Sequence, residues 1–281
     1  MVCDAPRSPA PFGHAPWRHL LGRTAGPARA VPTMLSSEER QLYFWLTALW
    51  ARGCGDIVDL GCFAGGSTAR LAQGHVAARL GSRIHAFDRF TADESTKRRV
   101  LYPAGIPPFR GNDILPLARR LLAPWAGRIE FHPGEIEDCG WTGAAIEIVT
   151  CDAAKSASDA DDIASIFFPH LVPGRSVVVQ QDQMLWNQPW ITAQMQLLAE
   201  YFTPVAIVPD STVIHLCRSA PDRAALAAAR TARLDDAALT DLLQQARKTL
   251  SPLGGDAALD RMIAAIQANP GERHAWNFER P

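Results

Sequence analysis

Short apolar runs recur along the chain, each closed by a polar or glycine-bearing turn and separated from the next by a segment of helical spacing. Runs at 56–60, 83–88, 128–132, 145–151 and 175–181 have the length of buried strands. The segments at about 67–80, 114–123 and 158–170 repeat their apolar residues with the period of a helix. Such alternation predicts an α/β fold, a Rossmann-like doubly wound sheet that is mostly parallel and carries helices on both faces. A helix over 187–202 then leads to runs at 204–208 and 212–217, separated by Asp210-Ser211. So short a link predicts an antiparallel terminal hairpin.

Upstream, Ser36 and Ser37 followed by Glu38 and Glu39 start a helix that carries Leu42, Phe44, Trp45, Leu46 and Leu49. Residues 1–33 are rich in Pro, Ala and Arg without sustained periodicity, and read as a flexible leader. Residues 34–220 form the α/β domain. Residues 221–281 are a helical extension, with Ala- and Leu-rich helices at 222–232, 235–249 and 256–268 before a polar tail. These helices serve either as a homodimer face or as a cover for the sheet.

Composition narrows the functional classes. With 281 residues, 47% of them hydrophobic, the chain buries a full core unaided. A formal net charge of −1 without a basic stripe argues against a nucleic-acid partner. No apolar run reaches membrane-spanning length, and the N-terminus lacks the pattern of a signal peptide. Six cysteines, at 3, 54, 62, 139, 151 and 217, show no paired or zinc-like spacing, so a reduced, cytoplasmic setting is expected.

In an open parallel sheet ligands gather outside the carboxyl ends of the strands, which selects Asp59, Asp88, Asp152 and Asp182. Residues 56–67 run from a strand through a glycine turn into a helix. Gly61 permits the turn, Gly65 and Gly66 keep the helix entry uncrowded, and Ser67 or Thr68 can cap its first amides. An anionic group such as a carboxylate suits that positive end. A dinucleotide turn needs glycine where this chain has Phe63, whose ring bars a diphosphate but can wall a pocket for a ligand without one. Asp88 can accept both hydroxyls of a ribose, or simply cap a helix; Phe87 and Phe90 flank a ring or fill core. The irregular loop at 102–113 is a substrate lid or a connector.

Asp59, Gly61 and Gly65 have the D-x-G-x-x-x-G spacing of the first motif of class I S-adenosylmethionine (SAM) dependent methyltransferases, which this segment resembles. Leu171-Val172-Pro173-Gly174 resembles the L-x-P-G turn before the fifth strand of that family. The resemblance implies SAM as cofactor, held by Asp59, Gly61, Phe63, Gly65 and Ser67, with Asp88 on the ribose and Glu135 and Ile136 against the adenine. Over residues 35–217 the chain is also similar to the macrocin-type sugar O-methyltransferases, which implies metal-dependent methylation of a small-molecule sugar, glycoside or phenol. There an Asp-Asp pair follows the fifth strand, whereas this chain has Gln181-Asp182. Mg²⁺ on Asp152 and Asp182 is therefore a candidate, and Asp152, Asp182 or His132 is the candidate base.

His170 falls at the opposite sheet edge, while Met184, Trp186 and Trp190 form an acceptor wall or begin a core helix. No set of two histidines and a carboxylate for iron stands at the strand ends. Two other readings remain open: a related SAM-fold enzyme with different chemistry, and a catalytically degenerate domain that only binds.

Overall fold

The structure, a computed structural model, describes residues 5–20, 26–209 and 211–281. Cys3, parts of the leader and Asp210 of the hairpin link lie outside the described residues. Seven strands form one mostly parallel sheet: β1 Asp56–Leu60, β2 Ile84–Asp88, β3 Ile129–Pro133, β4 Ile146–Cys151, β5 Val177–Gln180, β6 Phe202–Val208 and β7 Thr212–Cys217. Their order is β3-β2-β1-β4-β5-β7-β6. This is the doubly wound sheet with an antiparallel terminal hairpin that the apolar runs predict. The chain divides into two compact units, Pro16–Cys139, and Gly140–Pro281 together with the N-terminal segment up to Ala15.

In the first unit β1, β2 and β3 are parallel, with Val58 opposite His85, His85 opposite Glu130 and Phe87 opposite His132. Helix α1 (Ser37–Trp45) starts where the Ser-x-x-Glu spacing dictates: the Ser36 hydroxyl accepts the Glu39 N–H, and the Glu39 carboxylate accepts the Ser36 N–H. Helix α2 (Gly66–Ala77) approaches the end of α1 closely at Gly74, where a Cβ would stand 2.4 Å from the Phe44 carbonyl oxygen.

The leader departs from the flexible reading. Its prolines start short 3-10 helices at Ala10–His14, Pro16–His19 and Pro27–Ala30, because a fixed φ and a missing N–H are both tolerated in a first turn. Phe12 and Trp17 are buried, and in the first unit the Trp17 indole packs edge-on against Trp45 and donates to Glu38.

The 102–113 loop is clasped by a residue outside it. The buried Lys97 ammonium donates to the carbonyls of Gly111 (2.9 Å) and Phe109 (3.3 Å), pairs with Glu94 (3.2 Å) and lies over the Phe109 ring. Lys97→Met strands two loop carbonyls, so it should cost about 2 kcal/mol and lower Tm by roughly 4–8 °C. Thermal unfolding checks this, and an unchanged Tm would show that the clasp holds nothing.

In the second unit β4 and β5 are parallel, while β7 runs antiparallel to both β5 and β6. A bulge between Pro204 and Ala206 accommodates a proline that cannot donate to the ladder. The helix expected over 187–202 spans only Pro189–Leu197, since β6 already begins at Phe202. Helices Asp236–Leu250 and Asp256–Ala268 bury Leu239, Leu243, Leu259 and Met262 in one cluster with Met184, Ala193 and Val213, so their apolar faces act as a cover within this unit. No helix among the described residues is long and apolar enough to cross a membrane. Among the described residues Cys62, Cys139, Cys151 and Cys217 are free thiols.

Candidate functional site

The glycine turn of the first unit is organised around Asp88. Gly61 leaves β1 at φ +82°, its N–H donating to the Phe87 carbonyl across the β1–β2 junction. Phe63 then adopts φ +52°, and Phe90, after β2, also has φ +52°. Two phenylalanines in the left-handed region are uncommon and need a compensating contact. Asp88 provides it: one carboxylate oxygen accepts the Phe63 N–H at 2.8 Å and the other accepts the Phe90 N–H at 2.6 Å. Each oxygen has used one lone pair and can accept a further hydroxyl. Burial pushes the Asp88 carboxyl above its ordinary pKa, against the opposing pull of the two amides.

Gly65, at φ +92°, completes the turn by donating to the Cys62 carbonyl. A Cβ there would stand 2.5 Å from the Leu122 side chain, so glycine is required twice over. The first intrahelical bond of α2 runs from Ala69 N–H to Gly65 oxygen, so the amides of Gly66, Ser67 and Thr68 precede it.

Ser67 and Thr68 do not cap those amides. Their hydroxyls donate to Asp59 at 2.8 and 2.6 Å, because a carboxylate only 2% exposed must have donors. Asp59 thus ties the turn to its helix, and the Ser67 hydroxyl proton goes to Asp59. Phe87 and Phe90 are core residues. At the end of β3 the Gly134 N–H donates to the Asp88 carbonyl, which places Glu135 and Ile136 next to a residue tied to β2. The exposed Glu135 carboxylate lies 3.9 Å from Arg89. His132 is brought together with His85, at 3.0 Å, and its ring stacks on Phe87.

In the second unit Asp152 follows β4 and Asp182 follows β5, and both converge on one atom. The Lys155 ammonium donates to Asp152 at 2.5 Å and to Asp182 at 2.6 Å. Asp182, at φ +64°, also accepts from Gln188 (3.2 Å) and from the Ser211 hydroxyl (3.4 Å). Burial alone would lower the Lys155 pKa, but the two carboxylates outweigh it and hold the ammonium well above the ordinary lysine range. Lys155 is therefore a fixed cation and not a base. The carboxylate pair has the convergence that a divalent ion needs, and an incoming Mg²⁺ would have to displace the ammonium.

Spacing alone does not single out Lys155; its one signal is a lysine three residues beyond a strand-end acid. The polar C-terminal tail is equally unannounced. The Ala275 N–H donates to the Lys155 carbonyl and the Ala157 N–H donates to the Arg273 carbonyl, so the tail straps the segment that carries the lysine. Trp190 and Met184 are core, with the Trp190 indole donating to the Ala154 carbonyl. Trp186 packs edge-on against Phe278 of the tail.

No family model matches the chain, and no curated protein matches it. Solved structures are similar at a distance. An O-methyltransferase from Bacillus cereus in complex with S-adenosylhomocysteine (SAH) is 16% identical, covering 76% of this chain and 93% of its own, with a TM-score of 0.45. The O-methyltransferase NovP is 12% identical, covering 68% of this chain and 80% of its own, with a TM-score of 0.48. Likeness at this level transfers no activity.

Proposed function

We propose that the chain is a SAM-dependent methyltransferase that methylates an oxygen of a small acceptor, a sugar, glycoside or phenol. One observation carries the reading: a carboxylate at the end of β2, held by the amides of Phe63 and Phe90, with a lone pair left on each oxygen for a ribose. The amides opening α2 suit the methionine carboxylate. Phe63, where a dinucleotide turn has glycine, disfavours a diphosphate. Gly61, Gly65, Glu135 and Ile136 complete the proposed cofactor set.

In the reaction the acceptor oxygen attacks the sulfonium methyl carbon, the carbon–sulfur bond breaks with its electron pair going to sulfur, and the acceptor proton is released. A hydroxyl acceptor needs help with that proton. The fixed charge of Lys155 favours an anionic acceptor oxygen, and Asp152 and Asp182 are the groups proposed to take the proton. Mg²⁺, held by Asp152 and Asp182, would supply the same acidification of the acceptor.

A second reading, a degenerate domain that binds without transferring, draws on the same ion pair, since the ammonium occupies both acids. Calorimetry with SAM and SAH, with and without Mg²⁺ and with NAD as control, tests the proposal. Micromolar binding of SAM and SAH and none of NAD is expected; no SAM binding in any condition overturns it. SAM binding without methyl transfer across a panel of glycosides and phenols supports the second reading.

A further inference from the structure

Strands β2 and β3 gather three metal-ligating side chains on one face of the first unit. His85 pairs with Glu130 and Phe87 pairs with His132 in the parallel register. Residues two apart on a strand share a face, so His85, Glu130 and His132 project together. His85 Nδ1 lies 3.0 Å from His132 Nε2. The Glu130 carboxylate lies 3.9 Å from the first of these nitrogens and 3.8 Å from the second. Among the described residues this is the group of histidine, cysteine and acidic side chains close enough to share an ion.

We propose that His85 Nδ1, His132 Nε2 and the Glu130 carboxylate form a binding site for a divalent transition-metal ion. Ligands about 2.0–2.2 Å from such an ion lie roughly 3.0–3.5 Å from one another, the range in which the two nitrogens already stand. The Glu130 side chain, 52% exposed, closes the remaining few tenths of an ångström by rotation. Asp56 supplies an independent argument. Its carboxylate lies 3.3 Å from His85 Nε2 and is itself held by the Arg83 N–H. A proton held on Nε2 by that carboxylate leaves the Nδ1 lone pair directed at the ion, the carboxylate–histidine–metal arrangement that orients metal-binding imidazoles. Stacking on Phe87, at 4.1 Å and 9°, fixes the second ring.

Two imidazoles and one carboxylate select zinc, cobalt, nickel or ferrous iron over magnesium or calcium. The His132 side chain is 20% exposed and β3 ends the strand order, so an ion enters without unfolding the sheet. Bound there, it would pin β3 to β2. The alternative is a plain hydrogen bond between the two rings, which needs a proton where the ion would sit and gives no metal affinity.

The test uses untagged full-length protein, stripped with EDTA and titrated with Co²⁺ and then Zn²⁺. One equivalent of Co²⁺ should bind with visible ligand-field bands and no thiolate charge-transfer band. Zn²⁺ should displace it at micromolar affinity and raise Tm. His132→Ala should weaken Zn²⁺ binding at least 30-fold and Glu130→Gln about 5-fold, both with native circular dichroism. No saturable binding overturns the proposal, as does binding that both variants leave unchanged or a thiolate band that places the ion on cysteine.

Discussion

Replacing Asp88 by asparagine should weaken SAM binding at least 100-fold, while Asp182→Ala leaves the affinity within a factor of three. The carboxylate does two things at once. It neutralises the strain of two left-handed phenylalanines by accepting their N–H groups, and in the proposed function its remaining lone pairs receive a ribose. Hydrogen bonds to a charged acceptor contribute about 1.5–3 kcal/mol each, and 1.4 kcal/mol is a factor of ten in affinity. Loss of one such bond and of the charge that strengthens the other accounts for the predicted effect. Asparagine keeps the size but turns an NH₂ group towards one of the two amides, so Tm should also fall by a few degrees. Calorimetry well below the variant's Tm separates the two consequences. Because burial sets the Asp88 carboxyl above the ordinary carboxylate range, SAM affinity should decline on acidification earlier than an exposed aspartate would allow. Equal affinities for wild type and Asp88→Asn would remove the observation on which the cofactor assignment rests.

Local chemistry explains why much of the fold was readable. The limits of β1 and β7 follow from short runs rich in apolar residues, the start of α1 follows from a capping box, and the antiparallel pair follows from a link too short to cross over. What escaped depends on contacts between residues far apart in sequence. Prolines in the leader look like breakers until Trp17 is seen against Trp45. Ser67 and Thr68 look like caps until the buried Asp59 claims their hydroxyls. His85 sits in mid-strand, so a search confined to strand ends passes over its pairing with His132 and Glu130. Lys155 is defined by Asp182, 27 residues away, and by a tail that returns more than a hundred residues later.

Lys155→Met should convert the Asp152–Asp182 pair into a site that binds Mg²⁺ at least ten times more tightly than the wild type does. The two carboxylates stand within 2.6 Å of the same ammonium nitrogen, with side chains only 25% and 18% exposed. Removing that cation leaves two like charges facing one position, which costs on the order of 2 kcal/mol once partial exposure is allowed for. In EDTA the variant's Tm should therefore drop by roughly 4–8 °C, and millimolar Mg²⁺ should restore most of it. The pH dependence separates this from a packing defect. In the wild type the two carboxylates raise the Lys155 pKa above the ordinary lysine range, so its contribution is complete below that range and is lost only as pH rises beyond it. The variant has no such ammonium to lose, so its stability should not show the alkaline decline that this group gives the wild type. Any methyl transfer to hydroxyl acceptors should fall at least 100-fold in the variant without Mg²⁺, with SAM affinity unchanged. Should Mg²⁺ bind the variant no better than the wild type, and Tm stay the same, the acids are not a cation site and the proposed route to an activated acceptor fails with them.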